Sequence, residues 1–273
     1  MNQHYEELLA RLGYPQSLVD CMMARIPHPL VAFNSPPHWY GCPPALIPIW
    51  DIGSGPTYLG LLKHWFTDRP PTFVRMHLDL GTIIEIARTP EQFFAYAVIA
   101  AIVGQDGVQP ATERFAAALG VTNLTEIDNA TQNTGDDPKG FSTISQFRDA
   151  LPLACITASN QYDGAFPTGN FDSTSQWWLD ACSFEISRET EAAWPTSVPK
   201  PEWLVPGKKV DVFDKFLVQG DFHAAWLTLN STGWSTVEAV DAIQRLANKA
   251  NDSLFTLLTS AWTNFANGRG GNY

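Results

Sequence analysis

The hydrophobic and polar positions of this chain fall into three regimes. From residue 3 to 26 they recur at helical spacing: Tyr5, Leu8, Leu9 and Leu12 share one face before Gly13, and Leu18, Val19, Met22 and Ile26 repeat the pattern after Pro15. These positions predict two short helices. The proline-rich stretch 27–44 breaks the period and predicts an irregular segment packed down by Phe33, Trp39 and Tyr40. Strand-like runs follow at 45–50, 57–66, 72–80 and 82–87. In the third run Val74, Met76 and Leu78 alternate with Arg75, His77 and Asp79, the period of a sheet with one wet face. Short connections make the four runs an antiparallel meander, with Gly53–Ser54–Gly55 read as the bend of the first reversal.

Thr89, Pro90 and Glu91 then supply an N-cap, a first-turn proline and a dipole-complementing acid for a helix buried through Phe94, Val98, Ala101 and Ile102. A shorter helix is expected at 110–119. From 123 to 206 the chain reads as turns, with one helix expected at 143–156. Helical patterning returns at 210–229, at 236–250 behind Ser235, and at 252–268. The fold class is α+β: an antiparallel sheet flanked by helices, with a mainly helical C-terminal part. Residues 1–105 form the α+β unit, and 106–273 a loop-rich and helical extension packed on it.

Composition narrows what such a fold does. With 45% hydrophobic and 16% charged residues, including 10 Trp, the 273-residue chain is globular and buries most of its rings. No run reaches membrane-spanning length, and the acidic start lacks the basic flank of a secretion signal, so a cytoplasmic protein is expected. Cys21, Cys42, Cys155 and Cys182 lie too far apart for metal knuckles and read as reduced, mostly buried thiols; spacing fixes no pairing. The net charge of −11 disfavours nucleic acid and anionic membranes. Its distribution is uneven: residues 1–120 carry −3, 121–206 carry −8, and 207–273 are neutral.

Residues with catalytic potential do not assemble into a recognised spacing. If 57–66 pairs with 72–80 about a loop centred near Arg69, His64 faces Phe73 and His77 faces Gly60, roughly 13 Å apart, too far to share a metal with Asp51 or His38. No HxxxH or HExxH motif is present, and no metal or other cofactor is expected. Ser54 lacks the glycine two residues earlier that a nucleophile elbow needs, and Cys42 near His38 reads as structural. Asp51, Asp68, Asp79 and Glu85 lie near the sheet, but spacing selects no glycosidase pair among them. No catalytic residue is assigned.

At Leu46–Ile49, at Gly53–Gly55, in the aromatic run 58–66, and from Ile86–Ala87 into Glu91–Phe94, the order of parts resembles the SUKH superfamily of bacterial immunity proteins and cell-wall regulators. The resemblance covers about residues 40–103, and its motifs are hydrophobic and degenerate. It implies a non-enzymatic cytoplasmic protein that binds and neutralises a cognate toxin or secreted effector. It offers no counterpart for the region after residue 105.

The acidic middle suggests how such a protein binds. Carboxylates facing a cationic active site raise association rate and discrimination. Glu126, Asp128, Asp136 and Asp137 cluster in one stretch, while Asp163, Asp172 and Asp180 surround Trp177 and Trp178. An aromatic pair ringed by acids has the makeup of an interface centre. These nine residues are the expected partner-binding surface, the partner being a toxin with a basic active-site face. The alternatives are a hydrolase acting on carbohydrate or peptide, with Asp51 or Glu85 in its site, and a secretion-system adaptor or chaperone.

Overall fold

A computed structural model of the chain describes residues 3–34, 41–52, 56–168, 177–267 and 272–273. The expected bend at Gly53–Gly55, the rings of Trp39 and Tyr40, His38, and the glycine-rich stretch 268–271 lie outside the described residues. Two helices open the chain, α1 (Gln3–Arg11) and α2 (Gln16–Met22). A five-stranded antiparallel sheet follows in simple meander order: β1 (Phe33–Asn34), β2 (Leu46–Ile52), β3 (Thr57–Leu62), β4 (Thr72–His77) and β5 (Thr82–Ala87). The short edge strand β1 falls in the stretch expected to be irregular, where Phe33 and Asn34 pair with Ile52 and Asp51.

β2 and β3 are buried almost throughout, which accounts for their continuous apolar runs, whereas β4 keeps the partial alternation visible in its sequence. Pro48 has no N–H to give to a ladder, and the β2–β3 pairing shifts by a bulge between Pro48 and Trp50. Opposite it Gly60 allows close approach: a Cβ there would sit 2.4 Å from the Ile47 carbonyl oxygen.

The β3–β4 register differs from the sequence expectation by three residues. Leu62 pairs with Thr72 and Thr57 with His77, so the connection is centred on Thr67 rather than Arg69. The physical reason is that the chain leaves the ladder after Leu62. Trp65 packs against Trp226 and Phe255, and Phe66 takes a left-handed φ of 63° to do the same. Burial of these rings outweighs four more ladder positions.

α3 (Pro90–Gly104) starts as read, with the Thr89 side chain accepting from the Gln92 N–H, and its expected face of Phe94, Val98, Ala101 and Ile102 is buried. α4 (Pro110–Leu119) follows. Two expectations fail in the middle third. Residues 124–134 form α5 (Leu124–Thr134), although Asn, Thr and Asp there are poor helix formers; burial of Ile127 and Thr131 compensates. The helix expected at 143–156 is instead a pair of 3-10 turns, Ser145–Phe147 and Leu153–Cys155, because Pro152 forces extended backbone between them.

The short α6 (Arg188–Ala192) precedes the C-terminal helices. The helical pattern at 210–229 divides at Gly220, left-handed at φ 75°, into α7 (Lys209–Gln219) and α8 (Phe222–Leu229), the latter capped by Asp221. α9 (Thr236–Ala250) carries a Ser235–Glu238 capping box, and α10 (Ser253–Ala266) is capped by Asp252. α10 packs on α1, and one continuous hydrophobic core joins residues of α1, the sheet, α3 and α7–α10. Tyr273 is buried, its hydroxyl donating to the Leu229 carbonyl. All four cysteines are buried, and no disulfide joins them. No helix among the described residues is long and apolar enough to cross a membrane.

Candidate functional site

The connection between β3 and β4 places His64 and Arg69 against the segment 180–186, where Glu185 is fully buried. Arg69 holds Glu185 at two points, 2.6 Å to Oε1 and 3.0 Å to Oε2, and also donates to the Asp180 carbonyl. His64 Nε2 lies 3.2 Å from the same Oε1, while its Nδ1 accepts from the Trp226 indole N–H. That acceptor role fixes a neutral imidazole carrying its proton on Nε2. Burial pushes the His64 pKa down, against the pull of Glu185. Burial alone would raise the Glu185 carboxyl, but Arg69 and His64 outweigh it and hold it far below the usual range.

Cys182 completes the cluster. Its backbone N–H donates to Glu185 Oε2, and ligand-type atoms of His64, Cys182 and Glu185 lie within 4.8 Å of one another. The donor set nevertheless suits an internal ion pair better than a metal. Both Glu185 oxygens already face a guanidinium, both imidazole nitrogens are engaged, and burial pushes the Cys182 thiol well above its ordinary pKa. The cluster fastens the 180–186 segment to the sheet. Nothing in the sequence spacing announces it, since Arg69 and Glu185 are 116 positions apart.

Of the carboxylates considered for hydrolysis, Asp51 and Glu85 are internal and Asp68 and Asp79 are exposed. Glu85 accepts from Thr72 Oγ1, the Leu153 N–H and the Tyr162 hydroxyl at 2.6, 3.1 and 2.9 Å, and burial raises its pKa. Asp51 is buried on β2, opposite Tyr58. β2 and β5 are three strand spacings apart, about 14 Å, beyond the roughly 5–9.5 Å that separates glycosidase carboxylates. His77 hydrogen-bonds Thr57 Oγ1 at the far end of the β3–β4 pair from His64.

The described members of the expected partner-binding set sit in several different local settings. Glu126 is turned inward on its own neighbours, accepting from Asn123 Nδ2 and from both the backbone and hydroxyl of Ser145, with Arg148 3.5 Å away. Those bonds, Asn123 first, hold its pKa low. Asp137 caps a 3-10 turn through the Lys139 N–H. Asp163 pairs with Arg88, and Asp180 with His223 at 3.1 Å. Trp178 is half-buried, edge-on to Trp194 at 5.4 Å. Asp172 and the Trp177 side chain lie outside the described residues.

Asp128 and the exposed Asp136 keep carboxylates without an ion-pair partner among the described residues. Asp128 lines an open groove of about 490 Å³ between the end of α3 and α5, together with Ile102, Val103, Asp106 and Thr131. Asp106 reaches its rim because the chain turns there through left-handed backbone, φ 55° at Asp106 and 115° at Gly107. Among the described residues, Asp106 and Asp128 are the charged ones lining this groove, and both are negative. The sequence reading missed Asp106, which the turn after α3 brings beside the acidic stretch.

The chain matches no protein-family model, no curated protein and no solved structure.

Proposed function

We propose that this protein is a cytoplasmic immunity-type protein that binds a cognate toxin or secreted effector and blocks a cationic face of it. The observation that carries the reading is the α3–α5 groove, whose lining among the described residues carries the carboxylates of Asp106 and Asp128 and no cation. Such a groove receives a lysine or arginine side chain, its charge facing Asp106 and Asp128. The reading is supported from the opposite side by the internal engagement of His64, Glu85 and Glu185, whose polar atoms are spent on holding the fold. The SUKH-like order of strand, aromatic strand and Thr-capped helix over residues 40–103 adds the expectation of a toxin as partner.

The test begins by sequencing the flanking genes and co-expressing a toxin-type product found there with this chain in a growth-rescue assay. The purified pair is then compared by surface plasmon resonance at 50 and 500 mM salt. Rescue with an association rate that falls steeply with salt supports the reading. Binding without inhibition favours an adaptor, and salt-independent association removes the electrostatic argument.

A further inference from the structure

A basic recess shares no lining residue with the acidic groove. It is a cavity of about 470 Å³ between the β4–β5 turn, α6 and the start of α7, within the range of small-molecule sites. Leu80, Ile186, Leu204 and Trp194 give it apolar walls. Its charged lining is Arg188, Lys200, Lys209 and Glu191, and Lys200 and Glu191 neutralise each other at 2.9 Å. Arg188, exposed, and Lys209, buried, are left. A surplus of positive charge is unexpected in a protein of net charge −11.

Lys209 is the second, independent observation. It is only 6% exposed, yet no carboxylate among the described residues reaches it. Its ammonium is held by two carbonyls, those of Trp203 at 2.6 Å and Val205 at 3.3 Å, leaving the third N–H without a protein acceptor among the described residues. Buried cations are costly unless paired, and desolvation accordingly pushes the Lys209 pKa down. A buried amine with a spare donor, on the wall of an accessible cavity, lacks an anion.

We infer that this cavity binds a small organic carboxylate with an aromatic or apolar body, the carboxylate lying toward Lys209 and Arg188 and the body against Trp194, Leu80 and Leu204. A carboxylate supplies the countercharge that the fold omits, and the apolar walls reward a hydrophobic body. The site is remote in sequence from the α3–α5 groove and stands whether or not that groove binds a toxin.

The experiment is isothermal titration of the full chain with 1-naphthoate and with its uncharged analogue, 1-naphthalenemethanol. The expected result is one-to-one binding of naphthoate, at least tenfold weaker binding of the alcohol, and loss of naphthoate binding in Lys209→Met. Arg188→Glu, an exposed change that leaves the core intact, keeps the test decisive if Lys209→Met fails to fold; it should weaken naphthoate at least fivefold and leave the alcohol unchanged. Equal affinity for acid and alcohol, no saturable naphthoate binding at millimolar concentration, or wild-type affinity in Arg188→Glu would overturn the assignment.

Discussion

Arg69 meets Glu185 with both terminal nitrogens, at 2.6 and 3.0 Å, inside a protein that leaves neither side chain substantially exposed. The pair joins the β3–β4 connection to the segment preceding α6, two stretches that share no ladder. Removing one partner leaves the other charge buried and alone. Arg69→Met and Glu185→Gln should therefore each destabilise the chain by about 3–5 kcal/mol. The double variant Arg69→Met/Glu185→Gln should be less damaged than the sum of the two, since it leaves no orphan charge. Urea unfolding of the four proteins measures the coupling, and strict additivity would show that the contact is idle.

His28 predicts a loss of stability in acid. Its Nδ1 accepts from the Leu30 N–H and its Nε2 donates to the Ala97 carbonyl, so it is neutral, and burial pushes its pKa down to about 4. The unfolded chain binds this proton near pH 6.5, so stability present above that pH is lost as pH falls toward 4. Between pH 7 and 4.5 the loss attributable to His28 is about 2 kcal/mol. His28→Gln should lower stability at pH 7 but flatten the acid limb of a melting-temperature profile. An unchanged slope would assign that limb to other groups.

His223 predicts the opposite sign. Its Nδ1 faces the Phe66 carbonyl, and its Nε2 faces both Asp180 and the Leu179 carbonyl, so every neighbour is an acceptor and the cation is favoured. The Asp180 hydrogen bond raises its pKa most; burial, the next-largest effect, opposes it, and the two carbonyls add smaller upward pulls. Its contribution is complete below about pH 6.5 and fades as pH rises through the raised value, by at most about 1 kcal/mol given its partial exposure. The imidazole NMR titration of His223 should fall above that of a free histidine, and Asp180→Asn should bring it down. An unshifted titration in the parent protein contradicts the geometry.

Gly60→Ala should be among the most damaging single changes in the sheet. The added Cβ would lie 2.4 Å from the Ile47 backbone oxygen, and the bulge at Pro48 gives that strand no simple way to retreat. A cost of about 2–4 kcal/mol is expected. Gly13→Ala is the control: its φ is also unfavourable for alanine, at 79°, but nothing lies within 4 Å. It should cost about 1–2 kcal/mol from backbone conformation alone. Comparable melting temperatures for the two variants would show that the strands move apart.

For the α3–α5 groove, Asp106→Lys with Asp128→Lys should slow partner association at least about tenfold while leaving dissociation nearly unchanged, as expected of steering charges. Glu126→Gln should instead lower the melting temperature, because Glu126 is bound to Asn123 and Ser145. Stopped-flow association and thermal melts on the same variants separate the two roles.

What the sequence determined by itself is the local architecture. Periodicity placed the meander and most of the helices around it, and Gly13, Thr89, Pro90 and Ser235 mark their ends, because caps and left-handed stops act within a few residues of chain. The tertiary structure alone decided the β3–β4 register, where burial of Trp65 and Phe66 against α8 and α10 overrode strand continuation. It also gave α5 a helix that propensity does not favour, and withheld one across Pro152. The same holds for the sites. The acidic middle was legible as composition, but which of its carboxylates pair with Arg88 and His223 depends on neighbours distant in sequence. Arg69 with Glu185, and Lys209 with its cavity, leave no local signature, since burial and charge pairing across more than a hundred residues are properties of the packed chain.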